Sequence, residues 1–328
     1  MSDELRVKFW GVRGSYPAPG AETVKYGGNT ASVEIRAGER TIVLDAGTGI
    51  IPLGRELARR VPAQKHPLEV VLLFSHLHHD HTQGFPFFVP AYMPNARLHI
   101  FGPGGTSETL SRVLEHNQSS ETFPVSLREM ASSKDIQSVR ESQVIVWDEA
   151  GVHLAESSVG FSDEAVVIRS LKSYAHPGGV YVYRIAWRGQ SVVYATDTEG
   201  YVGTDRKLVA FARAADVLIH DAQYSEEHYR GGLAGFPSTQ GYGHSTVTMA
   251  CDVAAASEAG QLILFHHDPA YSDETVAGME ADAQSQFADS LAAFEGLEYV
   301  LRDENKMTRV LQSPSPLPLA PRERGQWK

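Results

Sequence analysis

The eight residues from Ser75 to Thr82 read Ser-His-Leu-His-His-Asp-His-Thr, and five of their side chains can bind a metal. Imidazole and carboxylate together suit zinc, iron or manganese and argue against a thiolate site. The spacing lets His76 and His78 face one ion while Asp80 and His81 turn toward a neighbour. The bland alternative is a polar turn that happens to be rich in histidine. Against it stands the preceding run Val70-Val71-Leu72-Leu73-Phe74, which reads as a buried strand from its β-branched and large apolar content. The ligands therefore sit on a loop leaving a strand end, where a rigid scaffold can hold an open, reactive site.

The pattern His-x-His-x-Asp-His after an apolar strand resembles the metallo-β-lactamase-fold superfamily of metal-dependent hydrolases. The following Thr82-Gln83-Gly84-Phe85-Pro86 resembles its phosphodiesterase branch, which includes ribonuclease Z and bacterial cyclic-nucleotide phosphodiesterases. The opening from Phe9 to Ser15 and the ending from Phe265 to Pro269 look like the cyclic-nucleotide group. The resemblance covers most of residues 5–311. It implies an α/β fold, an αββα four-layer sandwich of two mixed β-sheets with outer helices. One hydrolase domain over residues 1–312 is expected, with a Pro-rich tail over 313–328 that is extended or disordered.

The same resemblance implies two divalent transition-metal ions, zinc first, with manganese or iron as alternatives. His76, His78, His176 and Asp197 would hold one ion; Asp80, His81, Asp197 and His266 would hold the other. His267 is the competitor of His266 for the last position. Asp45, at a strand end before Ala46-Gly47, would brace the metal loop from behind. His79 is expected to point outward or to lie behind the ligands. Such a pair of ions, about 3.5–4 Å apart, activates water and clamps the attacking and leaving oxygens of an in-line displacement.

The expected catalytic residues are Asp80, His244 and Asp221. His244 resembles the catalytic histidine of the phosphodiesterase branch, and Asp221 its acidic partner, where ribonuclease Z has Glu. β-Lactamases lack this pair. The alternative for His244 is capping of the helix that follows the glycine-rich loop. Arg13 and Ser15 between glycines, and Asn29 after Gly27-Gly28, either reach a substrate phosphate or shape turns. Phe236 and Tyr242 on the glycine-rich loop either stack on a base or pin the loop. The expected substrate is a 3′,5′-cyclic nucleotide. A ribonuclease Z-like RNA endonuclease, a lactone or carboxyl-ester hydrolase, and a non-catalytic nucleotide sensor are the alternatives.

The elements that must position these residues alternate along the chain. Strands are expected at 7–10, 31–35 and 41–44, a helix at 51–61, the motif strand at 70–74 and another strand at 98–101. His99 lies inside that last strand and reads as packed. Residues 106–150 say least, with a helix at 109–116 and a short strand at 142–146. The second half gives strands at 166–174, 181–187, 190–195, 217–219 and 262–265, with helices at 207–215, 244–258 and 275–294. Four of these strands end in His or Asp, which gathers ligands along one sheet edge.

Lys plus Arg number 29 against 40 Asp plus Glu, a formal charge of −11. So acidic a chain has no general pull on a polyanion, and a stable nucleic-acid partner is not expected. Neither is the basic arm with which ribonuclease Z grips transfer RNA visible. A small phosphodiester is the expected partner, since bound cations offset charge locally. Cys251, the single cysteine, excludes an internal disulfide and reads as buried filler. Residues 1–8 show no apolar signal region and no run reaches the length of a membrane span, so a soluble cytoplasmic protein is expected. Relatives dimerise, which makes a homodimer an open expectation.

Overall fold

A computed structural model describes residues 4–61, 67–103, 107–200, 204–301 and 309–311. The first of two eight-stranded sheets contains β1 (Leu5–Gly11), β2 (Ser32–Ala37), β3 (Arg40–Leu44), β4 (Leu68–Leu73), β5 (Ala96–Gly102) and β6 (Ser133–Ser138). Late in the chain, β15 (Glu298–Leu301) and β16 (Arg309–Leu311) add its far edge, giving the order β16-β15-β1-β2-β3-β4-β5-β6. The second sheet contains β7 (Gln143–Asp148), β8 (Gly151–Glu156), β9 (Val166–Ser173), β10 (Val180–Trp187) and β11 (Gln190–Ala195). It continues with β12 (Val217–Asp221), β13 (Gln261–Phe265) and β14 (Ser290–Ala292), in the order β14-β13-β12-β11-β10-β9-β7-β8.

Pairing is parallel through β3-β4-β5-β6 and through β11-β12-β13-β14, and antiparallel elsewhere. Parallel strands covered on both faces read as unbroken apolar runs, as Leu218-Ile219 and Leu262-Ile263-Leu264-Phe265 do. One face of each sheet contributes to a shared core that includes Phe9, Ile35, Val71, Tyr183, Ile219 and Phe265. Phe9 and Phe265 meet across the two sheets with ring centroids 5.9 Å apart. Truncating either to Ala would cost about 3–5 kcal/mol.

Helices cover the outer faces, and two short ones, α2 (His79–Thr82) and α5 (Glu226–Arg230), lie in connections between strands. On the first sheet lie α1 (Ile50–Arg60) and α3 (Ser107–Asn117), which bury Leu53, Leu57, Leu110 and Leu114. On the second lie α4 (Arg206–Ala212), α6 (Val247–Ser257) and α7 (Asp273–Gln286), which bury Leu208, Ala250, Val276 and Met279. The result is the four-layer αββα sandwich expected from sequence. No described helix is long and apolar enough to cross a membrane.

Three local expectations are corrected. The helix expected over 275–294 ends at Gln286, and Ser290–Ala292 becomes β14, parallel to β13. Its apolar spacing continues past Gln286, but pairing with the open edge of β13 wins over periodicity. The quiet stretch 106–150 holds the unexpected strand β6, besides α3 and β7, which match the helix expected at 109–116 and the strand expected at 142–146. The helix expected from residue 244 starts at Val247, capped by the Thr246 hydroxyl accepting from Met249 N. The Pro-rich tail at 313–328 lies outside the described residues.

Candidate active site

Strand direction gathers the polar side chains at one end of the sandwich. Asp45 follows β3 and His76 follows β4, two parallel neighbours. Asp197 follows β11, Asp221 ends β12 and His266 follows β13, again parallel neighbours. His176 lies in the turn after β9. Asp80 and His81 lie in α2 (His79–Thr82), one helical turn that bends the motif back over the sheet edge. Ser15, Asp45, Asp197 and His266 all have positive φ, between 53° and 66°. That region is unfavourable for residues with a Cβ and concentrates at functional sites.

Three groups of ligand atoms result, the atoms of each within 4.8 Å of one another. His76, His78 and His176 form the first. Asp80, His81, Asp197 and His266 form the second. Asp197, Asp221, His244 and His266 form the third.

Asp197 joins the first two groups through different oxygens. Its Oδ1 lies 3.7 Å from His76 Nε2 and 3.9 Å from His176 Nε2, while its Oδ2 lies 3.2 Å from His81 Nε2 and 3.4 Å from His266 Nε2. A carboxylate so placed can bridge two ions. Burial favours its neutral form, but His266, His81 and His76 hold it well below the usual carboxylate range.

The residues fit metal ions on several independent counts. His76 Nε2 is buried with no hydrogen-bond partner, a costly state unless a cation meets the lone pair. Burial holds that imidazole neutral, well below its ordinary pKa, and the neighbouring His81 adds to the effect. His81 Nδ1 donates to Asp45 Oδ2 at 2.8 Å, and His266 Nδ1 donates to Gln223 Oε1 at 2.9 Å. Their Nε2 atoms then face each other at 3.3 Å, with Asp80 Oδ2 3.3 and 3.2 Å away. His176 Nδ1 donates to Gly243 O at 3.1 Å, and its Nε2 faces His78 Nδ1 at 3.1 Å. Tying the far nitrogen of His81, His176 and His266 fixes their tautomer and ring orientation, the usual support of a metal ligand. Oxygen and nitrogen donors without thiolate suit zinc, manganese or iron.

Asp45 is fully buried and accepts four hydrogen bonds. They come from Ser75 N, Ser75 Oγ and Tyr194 Oη, besides His81. It holds the Ser75–Thr82 loop from behind and belongs to none of the three groups of ligand atoms. Asp221 is equally enclosed. It accepts from Asp197 N at 3.0 Å, Ser245 N at 2.9 Å, Gln223 N at 3.1 Å and His244 Nδ1 at 2.8 Å. Saturated in this way, it serves as an anchor for His244. Burial pulls His244 toward the neutral form, but the charge and hydrogen bond of Asp221, then Asp197 and Asp80, push its pKa up to about 9. Its ring stacks on His266 with centroids 5.0 Å apart and lies edge-on to His176 at 5.0 Å.

Other residues singled out from the sequence take different places. Arg13 is fully buried and donates to the carbonyls of Gly27, Asp268 and Tyr271, so it shapes the chain and does not reach substrate. Asn29 likewise bonds Glu295 through its side chain. Ser15 touches the site through its backbone, N–H to Asp80 Oδ2 at 2.7 Å. His267 turns away: its Nε2 donates to Ala293 O, and burial lowers its pKa to about 3. His79 is exposed. Phe236 packs against the His228 ring, while Tyr242 is mostly open to solvent.

Several supporting residues escaped the sequence reading. Gln223 sits two positions beyond Asp221, a place the strand pattern could have flagged. Tyr194 reaches Asp45 from the opposite sheet, which only the fold reveals. Glu199 accepts from Gly241 N, Gly243 N and the Tyr229 hydroxyl at 2.7, 2.9 and 2.6 Å. It thereby pins the loop that leads into His244. Gly243 must be glycine: its φ is +90°, and a Cβ there would lie 2.4 Å from His176 Nδ1.

A family model described as "Beta-lactamase superfamily domain" matches residues 40–267. The Ribonuclease Z of Picrophilus torridus is 24% identical over 334 residues, covering 94% of this chain and 100% of the relative. Two solved structures superpose over nearly the full length. One is the metallo-beta-lactamase fold protein YhfI of Bacillus subtilis, with a TM-score of 0.62 at 19% identity, covering 91% of this chain and 100% of that one. The other is human tRNase Z, short form, with a TM-score of 0.57 at 19% identity, covering 89% and 98%.

Proposed function

The chain belongs to the beta-lactamase superfamily, and from that premise we propose that it is a metal-dependent phosphodiester hydrolase in which His244 protonates the leaving oxygen. The observation that carries the reading is the His244–Asp221 contact of 2.8 Å beside both ligand groups. Ester hydrolysis with a stable leaving group needs no such proton donor; expulsion of a ribose alkoxide does.

His76, His78 and His176 would hold one ion and Asp80, His81 and His266 the other, with Asp197 shared between them. When bound, such a pair supplies Lewis acidity and a water acidified toward a pKa of about 7. The chain's own residues do the rest. Asp221 keeps Nδ1 of His244 occupied, so the transferable proton sits on Nε2. Asp45, Gln223 and the Gly243 carbonyl hold the ligand rings in one orientation. Glu199 fixes the backbone that delivers His244.

For the substrate, a relative named Ribonuclease Z supports an RNA phosphodiester. The 3′,5′-cyclic nucleotide expected from sequence draws no support from the similar proteins above. It stays as the second reading because a net charge of −11 disfavours a long polyanion. The test is turnover by the zinc-loaded full chain of bis(p-nitrophenyl) phosphate against p-nitrophenyl acetate, then of precursor transfer RNA against cyclic AMP. Phosphodiester turnover well above acetate turnover is expected. Preference for acetate would refute the reaction class, and cyclic AMP hydrolysis without RNA cleavage would select the second reading.

A further inference from the structure

Seven large hydrophobic side chains are exposed among the described residues, and five of them are aromatics on segments adjoining the ligand cluster. Tyr16 follows Ser15, whose N–H bonds Asp80. Phe87 lies just beyond the metal loop, and Phe236 and Tyr242 lie on the loop leading to His244. Tyr174, two residues before His176, is the most open at 75% exposure. A cleft of about 530 Å³ opens there, bounded by Tyr174, His176, Pro177, Gly178, Glu199 and Gly241.

The walls of this cleft differ in chemistry. Tyr174 offers an aromatic face. Lys172 does not bound the cleft itself but places its ammonium against the same ring, 4.9 Å from its centroid. His176, a proposed metal ligand and itself buried, is among the residues that bound it. The turn at Gly178-Gly179, both with φ near +85°, carries no side chain to fill the space. Glu199 and Gly241, which also bound the cleft, are tied together, Gly241 N donating to Glu199 Oε1 at 2.7 Å. An aromatic face with a cation against its ring, in one cleft with a proposed metal ligand, matches a nucleotide: planar base, anion, phosphoryl group.

We propose that this cleft is a nucleobase subsite, with Tyr174 as the stacking platform and Lys172 as an anion contact beside it. The inference rests on the phosphodiesterase reading and narrows its substrates to base-bearing ones. Stacking on an aromatic tolerates every base, so the subsite selects nucleotides from other phosphodiesters without selecting among bases.

The test measures binding separately from turnover. Calorimetric titration of the zinc-loaded full chain uses adenosine 5′-monophosphate and ribose 5-phosphate, which share the phosphate and differ in the base. The wild type should hold the adenosine compound more tightly. Tyr174→Ala should weaken it by about 5- to 150-fold and leave ribose 5-phosphate unchanged, while Tyr174→Phe, which keeps the ring, should retain wild-type affinity. Equal loss for both probes, no loss for either, or a wild type that does not prefer the base-bearing probe would each overturn the subsite. Base-selective binding that depends on Tyr174, in a chain that hydrolyses no phosphodiester, would uphold the subsite while sinking the proposed reaction.

Discussion

Replacing His244 by Ala removes the group assigned to protonate the leaving oxygen, and the structure sets the expected size of the effect. Before any cation binds, and against the effect of burial, Asp221 raises the pKa of His244 to about 9, which favours the protonated form that an acid needs. Loss of a positioned general acid costs about 10²–10⁴-fold in turnover. That loss should appear in full on a ribodinucleotide, whose leaving ribose alkoxide needs a proton. It should be far smaller on bis(p-nitrophenyl) phosphate, whose leaving group departs as the anion. Asp221→Asn supplies the pH test. A carboxylate 2.8 Å from Nδ1 raises an imidazole pKa by about 1–3 units. Activity needs the protonated form, so it falls as pH rises through that pKa. The alkaline limb of the ribodinucleotide profile should therefore move about 1–3 units lower in Asp221→Asn. Bound cations push the absolute position of the limb below 9 in both proteins without removing the difference. Metal content measured on each variant separates this role from damage to the stacked His266. Equal losses on both substrates, with metal retained, would refute proton donation.

Three further outcomes follow from the same geometry. Asp197→Ala should lose metal and activity together, because its two oxygens face both ligand groups; elemental analysis should fall from about two equivalents per chain in the wild type. Asp45→Ala should keep the ligands but weaken metal affinity about 10–100-fold, read by competition with a chromophoric chelator, and a smaller effect than in Asp197→Ala is required. Glu199→Ala removes two hydrogen bonds to the loop before His244 and one to the Tyr229 hydroxyl. It should lower ribodinucleotide turnover about 10-fold or more, on the scale of hydrogen bonds to charged groups, with metal content retained and faster protease cleavage within residues 231–243.

Legibility in the sequence depended on how locally each feature is encoded. The motif from His76 to His81 is contiguous, so its chemistry was readable before any fold was known. The strand-end positions of Asp197, Asp221 and His266 were readable because each follows a buried apolar run, and parallel pairing of β11, β12 and β13 makes those ends neighbours. What remained hidden was set by tertiary pairing. Nothing near Phe287 announces that the helical spacing stops so that residues 290–292 can cover β13. Arg13 between glycines could equally have met a phosphate or shaped a turn, and only its three backbone acceptors show it to be an internal clamp.

The same distinction explains why His266 and His267 could not be separated by sequence. Both follow β13, and a strand alternates its side chains, so one residue of register decides which faces the cluster. The structure makes that choice through the backbone. His266 has φ +66°, and His267 pairs with Arg13 and exchanges hydrogen bonds with Val12 and Gly14. The first strand's exit thus locks His267 into the interior and leaves His266 facing Asp80 and Asp197. The conformation is unfavourable for a residue with a Cβ by about 1–3 kcal/mol, and it persists because the flanking bridges leave the backbone no alternative. Gly14 completes the arrangement: a Cβ there would lie 2.4 Å from the His266 ring. A Gly14→Ala substitution should therefore displace His266 and lower metal occupancy while leaving the fold intact by circular dichroism. Full metal occupancy in that variant would show that the two strand exits do not set the ligand's position.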